Sequence, residues 1–427
     1  MTEVHEDVVC TFCGALCDDI VVTVENNKIV GTKKACRAGK SRIMGHDRIG
    51  SSLIRSEGEL SPCDYETATT KAAEILDNAD RPLLYGFCAT ICEAQKMGIA
   101  LAEKAGAVID SSTSVCHGPT VLAVQQAGMP SATLGEVKNR ADLVIYWGCN
   151  PLEAHIRHTT RYSASPKGYF TPEGRRGRKI VAVDVDETKT AKLADTFVKV
   201  EPNSDYKVLS ALRAILAGKD EILPEKIGGV PVSQLKDLVE EMKAAKYGMI
   251  FFGMGLTQSK LRYRNVENAI KLVTTMNNHT KFGLLPMRGH YNVAGFGQVC
   301  AWQTGFPFSV DFSRGFPYYN PGETSAVDLL SRGEVDAVVV VAADPGAHFP
   351  NAALKRMSDV PVVLINPHPS PTGYFADVII PSAIGGIEVS GTAYRMDAVS
   401  LEVDKLVESE FLSDEEILKM IYDKVSG

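Results

Sequence analysis

Four cysteines near the amino terminus are spaced as a soft-metal site. Cys10, Cys13 and Cys17 form C-x2-C-x3-C, and Cys36 follows after a short stretch. Three thiolates from a tight loop plus one from a returning strand suit a [4Fe–4S] cluster, which takes four soft anionic ligands around a cube. Zinc is the competing occupant, since four cysteines also hold it tetrahedrally. Zinc ribbons usually pair two C-x2-C knuckles, however, and here the fourth cysteine is solitary. A second constellation is Cys116-His117 within the run Ser-Val-Cys-His-Gly-Pro at 114–119. A thiolate at a helix start gains from the partial positive charge there and serves as a nucleophile or a soft-metal ligand. The plainer alternative is a small residue in a tight loop beside a loop histidine.

The elements that must position these groups are legible in outline. Residues 20–24 and 28–31, joined by Asn26-Asn27, read as a hairpin that returns Cys36 to the first three cysteines. An apolar run ending in Val108-Ile109 reads as a strand, residues 110–114 as a polar loop, and residues 119–123 as the first turn of a helix with Pro119 early. Helical spacing over 65–77 and 92–105 alternates with a short buried strand at 82–86, which is βαβ material. Strands at 142–147, 179–184, 247–252 and 282–285, then at 335–341, 362–365 and 376–381, each run into loops of Gly with Asp, Asn, Thr, Arg or His. Such loops let a backbone approach a ligand and offer N–H groups to phosphates. The second and third series echo each other: strand, Asn/Asp-Pro, strand, Asp/Asn, a Thr-containing stretch, then Ala-Asp (Ala194-Asp195 and Ala376-Asp377). This reads as a loose internal duplication of a mononucleotide-binding unit.

Composition limits the function. Ten cysteines without a secretory leader suggest metal or redox chemistry in a reducing compartment, the cytoplasm, and not a disulfide framework. A net charge of −7 argues against nucleic-acid binding, and the absence of a long apolar run against a membrane span. The one basic cluster, Arg175-Arg176-Gly177-Arg178-Lys179, reads as a solvated loop or a phosphate contact. No G-x-G-x-x-G or P-loop stands at a strand–helix corner, which disfavours NAD and P-loop chemistry.

Together these residues resemble the molybdenum/tungsten bis-pterin oxidoreductases, the formate dehydrogenase relatives. The resemblance spans essentially the whole chain. It rests on the cysteine module, the Cys-His pair, residues 147–155 (Trp-Gly-Cys-Asn-Pro-Leu-Glu-Ala-His) and Asp184 followed by Thr188, Thr190, Ala194 and Asp195. It implies an α/β fold: a small iron–sulfur module with a β-hairpin over 1–60, then two doubly wound αβα domains. One would comprise 61–130 and 305–427, the other 131–304, each binding one pterin dinucleotide. The family's C-terminal β-barrel domain would be lacking. The cofactors implied are a [4Fe–4S] cluster on Cys10, Cys13, Cys17 and Cys36, two molybdopterin (tungstopterin) guanine dinucleotides, and Mo or W with Cys116 as protein ligand. His117 and Arg288 would line the substrate site, Arg288 orienting a carboxylate and His117 positioning or relaying a proton. Cofactor contacts would come from Lys40, Gly148, Cys149, Asn150, Glu153, His155, Asp184, Thr188, Thr190, Gly253, Gly255, Gly289, His290, Asp344, Gly346, His348, Asn366 and Asp377. Two positions depart from the family pattern. A lysine often stands two residues after the fourth cluster cysteine; here that residue is Ala38, with Lys40 nearest. Position 149 is Cys where the family's loop commonly has Ser or another small residue.

Residues 114–119, 287–292 and 344–350 carry a narrower resemblance, to formylmethanofuran dehydrogenases of methanogenic archaea. That implies reduction of CO2 to formate as a step of methanogenesis, with formate passed to an amidohydrolase-like subunit. A small β-barrel subunit would cover the pterins, polyferredoxin or iron–sulfur subunits would deliver electrons, and heterodisulfide reductase is a further candidate partner. A free-standing formate dehydrogenase and a non-catalytic electron-transfer subunit of the same fold remain open alternatives.

Overall fold

Short apolar runs such as LVIYW, YGMIFF, AVVVV and VVLI are buried along almost their whole length. Strands of that kind need cover on both faces, which a parallel sheet between helices supplies. In the computed structural model, which describes residues 2–45 and 47–426, they build two parallel sheets in two units. One unit holds the chain through Val115, His290–Arg395 and the chain from Ser400 on. The other holds Cys116–Gly289 and Met396–Val399.

The second unit contains a five-stranded parallel sheet in the order Thr196–Lys199, Lys179–Asp184, Leu143–Trp147, Tyr247–Phe252, Lys281–Pro286. Chain order runs outward one way from Leu143–Trp147 and then the other way. The topological switch point, where open α/β sheets bind ligands, therefore lies between Leu143–Trp147 and Tyr247–Phe252. Helices Asp205–Leu216, Val232–Ala244 and Tyr263–Met276 turn apolar faces onto a shared core with these strands.

The first unit has a nine-stranded sheet. Its parallel centre reads Val378–Ile380, Val362–Ile365, Ala337–Val341, Pro82–Gly86, Val108–Ser111. Antiparallel strands extend both edges: Ser52–Ser56 with Glu59–Cys63, and Val310–Asp311 with Tyr318–Tyr319. The cysteine module carries an antiparallel sheet of Thr2–Val8, Ile20–Glu25 and Lys28–Lys33, so the expected hairpin gains a third strand.

One local expectation needs correction. Residues 110–114 are not a loop: the strand runs through Ser111, and Ser112–Cys116 is a short helix before Gly118–Ala127. Side chains close that turn. Asp110 Oδ1 accepts from the Ser111 amide (2.8 Å), Ser111 Oγ from the Thr113 amide (3.2 Å), and Ser114 Oγ donates to the Ser111 carbonyl (3.0 Å). Such polar local bonds leave no mark in hydrophobic periodicity.

Candidate active site

The four cysteines of the amino-terminal module converge. The Cys10 amide donates to the Cys17 carbonyl (2.9 Å) and the Leu16 amide to the Cys13 carbonyl (3.0 Å), which winds the loop tightly. Cys36 caps the helix Arg37–Met44, its Sγ accepting from the Gly39 amide at 3.3 Å. Burial, together with the neighbouring cysteines, pushes the Cys10 thiol up and brings Cys13 to about 12. Thiols so crowded and desolvated stay protonated until metal replaces the protons. Gly39 completes the pocket: a Cβ there would stand 2.8 Å from Cys10 Sγ and 3.6 Å from Cys36 Sγ. The donor set and this close-fitted wall suit a cluster held by all four thiolates. Among the described residues, no group of three or more His, Cys, Asp or Glu is placed to hold a single metal ion. Lys40, the lysine expected to face the cluster, is exposed, whereas Arg42 two residues further on points inward.

Cys116, His117 and Arg288 fall in the same unit. Cys116 closes its short helix, and its carbonyl accepts from Thr257 Oγ1 (2.9 Å) and Gln258 Nε2 (3.3 Å). Burial raises its thiol, so a metal must displace the proton. His117 is buried with both ring nitrogens engaged. Nε2–H donates to the Met287 carbonyl (3.3 Å), which leaves Nδ1 to accept from the Thr120 hydroxyl (3.1 Å). Burial, then the nearby Arg288 charge, drives this imidazole down to about 3, so it is neutral. His155, also buried, donates from Nε2 to the next carbonyl, that of Arg288, at 2.7 Å. Two neutral histidines thus hold successive carbonyls of the strand-end turn that presents Arg288. Behind them His158, likewise brought to about 3 by burial, is tied to Ser163 Oγ (3.0 Å), which contacts Tyr146 Oη (2.6 Å).

The strand-end loops of the two units repeat one arrangement. In the second unit, Asn150 Oδ1 accepts from the amide (3.3 Å) and hydroxyl (2.7 Å) of Thr190. Asn150 Nδ2 donates to Glu153, which pairs with Lys189 (2.8 Å). Thr188 caps the helix Lys189–Leu193. In the first unit, Asp344 Oδ1 accepts from the amide (2.9 Å) and hydroxyl (2.6 Å) of Thr372, and the Gly346 amide donates to that hydroxyl (2.9 Å). Sequence reasoning named Thr190 and missed Thr372, although Thr372 lies six residues beyond Asn366 as Thr190 lies six beyond Asp184.

Gly148, Gly253 and Gly255 meet at the switch point. Gly148 has φ +55°, and a Cβ on it would lie 2.9 Å from Gly255 Cα. The backbones interlock through Gly253 N–H to Trp147 O (3.1 Å) and Gly255 N–H to Gly148 O (3.0 Å). Cys149 Sγ donates to the Phe251 carbonyl (3.4 Å), so this thiol ties the two central strands. Asp184, half-buried at its strand end, accepts from the Val185 amide and is raised by burial. Gly289 is exposed, and a Cβ on it would have no neighbour within 4 Å. In the first unit His290 Nδ1 lies 3.2 Å from Ser112 Oγ, His348 is exposed, and Asn366 Nδ2 donates to the His368 carbonyl (2.8 Å). Asp377 stands apart: its carboxylate accepts from the Val362 amide (2.9 Å) where that strand begins, at the sheet edge opposite the loops. In the second unit a cavity of about 750 Å³ bordered by Arg175, Arg176 and Asp195 lies at the amino ends of the strands. Arg178 is fixed there by main-chain carbonyls, including that of Ser163 (2.8 Å), and by Thr171.

A doubly wound sheet pair with matching polar loops, a Cys-His pair and a four-cysteine module is the plan of one enzyme class. Residues 53–421 match the family model described as molybdopterin oxidoreductase, and the chain belongs to that family. Within it, the chain is 51% identical to a subunit of the tungsten-containing formylmethanofuran dehydrogenase 2 of Methanocaldococcus jannaschii, across 100% of this chain and 99% of that protein. Its fold is similar to a chain of the formyltransferase/hydrolase complex FhcABCD from Methylorubrum extorquens, solved with methylofuran (TM-score 0.71, 21% identity, 88% and 98% of the two chains). It is also similar to acetylene hydratase from Pelobacter acetylenicus (TM-score 0.74, 13% identity, 99% and 69%). No helix among the described residues is long and apolar enough to cross a membrane.

Proposed function

We propose that the chain is the redox subunit of a formylmethanofuran dehydrogenase and interconverts CO2 and formate. A metal-pterin centre, Mo or W on two pterin guanine dinucleotides, supplies two-electron chemistry when bound. The observation that carries this reading is the turn at Met287-Arg288, fixed by His117 and His155 in the unit that holds Cys116.

The residues divide the work as follows. Cys116 would give the metal its protein thiolate, a soft ligand for a sulfur-rich centre. Arg288 binds and orients the carboxylate of formate, which a planar guanidinium matches, and steadies negative charge on its oxygens. His117 stays neutral, with its proton on Nε2, and orients Arg288 through the main chain. Asn150 with Thr190, and Asp344 with Thr372, shape the loops that would receive the two dinucleotides. Cys10, Cys13, Cys17 and Cys36 would hold a [4Fe–4S] cluster that exchanges electrons with iron–sulfur partner subunits.

Formate made here would pass to an amidohydrolase-like partner for condensation with methanofuran. This chain has no H-x-H pair of the kind such a metal site uses. Metal analysis with pterin extraction on the purified complex tests the reading. W or Mo with pterin guanine dinucleotide is expected, and iron without either metal would refute it. Supplied with CO2, methanofuran and a reductant, the isolated chain should make no formylmethanofuran.

A further inference from the structure

The cluster module holds a charged group with no part in the CO2/formate chemistry. Arg42 lies on the helix Arg37–Met44 that Cys36 caps, three residues after Gly39 and so on the same face. That face meets Cys10, since a Cβ on Gly39 would come within 2.8 Å of its sulfur. With Phe12 and Arg37, Arg42 lines a cavity of about 610 Å³ beside the cysteine loop. Its Nε is buried and has no hydrogen-bond partner among the described residues. A guanidinium keeps its charge at any working pH, and a buried charge needs compensation.

The neighbouring groups compensate it poorly. Asp414 is raised by burial, and its Oδ2 is bound by Thr90 Oγ1 (2.5 Å). Tyr291 is driven up by burial and stays a neutral phenol. Arg48 adds positive charge, though Glu388 holds it at 3.0 Å. Asp47 borders the same cavity, and Cys10 is a further group whose negative charge Arg42 would feel. Lys40, on the same helix, is exposed, and water screens it.

We propose that Arg42 is the electrostatic partner of the four-cysteine site, standing on its Cys10 side and making a cluster bound there easier to reduce. The inference rests on the reading of the four cysteines as cluster ligands. Adding one electron makes such a cluster more negative by one charge, and a fixed, poorly screened cation favours that state. The same charge helps gather four thiolates in one pocket.

The test uses the full-length chain, reconstituted anaerobically with iron and sulfide and titrated with dithionite under EPR. Wild type, Arg42→Met, Arg42→Lys and Lys40→Met are compared, with iron and sulfide content measured for each. Arg42→Met should hold its cluster and shift the one-electron reduction equilibrium at least tenfold toward the oxidised form, a fall of about 59 mV. Arg42→Lys should recover most of that shift, and Lys40→Met should match wild type. Equal potentials for Arg42→Met and wild type would overturn the proposal, as would a fall in Lys40→Met as large as in Arg42→Met. If Arg42→Met fails to retain iron while Arg42→Lys retains it at near wild-type potential, the charge requirement stands. A wild-type chain that binds no iron and sulfide refutes the cluster reading itself, an outcome recognised before any variant is compared.

Discussion

At the residue scale, the candidate site depends on side chains that are neutral by construction. His117 and His155 each spend an Nε2–H on a main-chain carbonyl, and burial keeps both rings uncharged. A cationic imidazole beside Arg288 would repel the guanidinium proposed to meet an anion. The type and spacing of Cys116 and His117 were legible in the sequence. The anchoring role of His155 was not, because its partner is a carbonyl 133 residues away. Cys116→Ser should lower CO2/formate activity by at least ~100-fold while the iron–sulfur EPR signal persists, since loss of a metal ligand exceeds loss of an outer-shell partner. Activity near wild type would remove Cys116 from the metal. His155→Ala breaks a bond worth about 1 kcal/mol and frees the Arg288 turn, so kcat for formate should fall roughly 10–100-fold. His155→Gln, which can still donate to that carbonyl, should retain most of the rate. A parallel loss in both variants would tie the histidine to some other role.

At the element scale, the strand Val108–Ser111 and the helix after it depend on one carboxylate. Asp110 is wholly buried, accepts from the Ala326 and Ser111 amides, and is raised from 3.8 to about 6, chiefly by burial. Its folded-state value lies above its unfolded one. The folded chain therefore binds the extra proton between about pH 4 and 6, and the stability this contributes is lost as pH rises through 6. A rise of that size corresponds to on the order of 3 kcal/mol. Thermal unfolding from about pH 4 to 7 should show stability falling across this window, and Asp110→Asn should flatten that part of the profile. An unchanged slope in the variant would assign the dependence elsewhere. The central strands of both parallel sheets were legible because their apolar runs are nearly continuous, whereas outer strands such as Thr2–Val8, Ser52–Ser56 and Glu59–Cys63 were not, being largely exposed or half-buried. The helix Ser112–Cys116 was not, because serines and an aspartate made it through local polar bonds.

At the scale of the whole molecule, the two parallel sheets are one design used twice. Leu143–Trp147, Lys179–Asp184 and Thr196–Lys199 correspond to Ala337–Val341, Val362–Ile365 and Val378–Ile380. Tyr247–Phe252 and Lys281–Pro286 correspond to Pro82–Gly86 and Val108–Ser111, and the spatial order is the same. The unit holding Pro82–Gly86 takes its strands in a permuted chain order, so the sequence echo was visible over two strands and the Ala-Asp pair that opens the third, and hidden over the other two. By this correspondence the turn bearing Arg288 and the helix ending in Cys116 both follow the last strand of the repeat.

The repeat also sorts the polar residues by sheet edge. At the carboxyl ends, Asn150–Thr190 matches Asp344–Thr372. At the amino ends, Asp195 accepts from the Ile180 amide (2.8 Å) as Asp377 does from Val362 (2.9 Å). Asp142 likewise caps the Tyr247 amide (2.9 Å) as Asp336 caps that of Arg81 (2.9 Å). The carboxyl ends are where open α/β sheets bind, so the two edges should respond differently to mutation. Thr372→Val removes a hydroxyl from a loop and should cost about 1 kcal/mol of stability, while the pterin guanine dinucleotide recovered per chain falls as far as in Thr190→Val. Asp377→Ala leaves a strand-end amide unpaired and should cost roughly 1–3 kcal/mol in thermal unfolding, as should Asp195→Ala, with dinucleotide content per folded chain unchanged. Dinucleotide loss in Asp377→Ala without loss of stability would place that carboxylate at the cofactor after all, and the equivalence of the two edges across the repeat would fail with it.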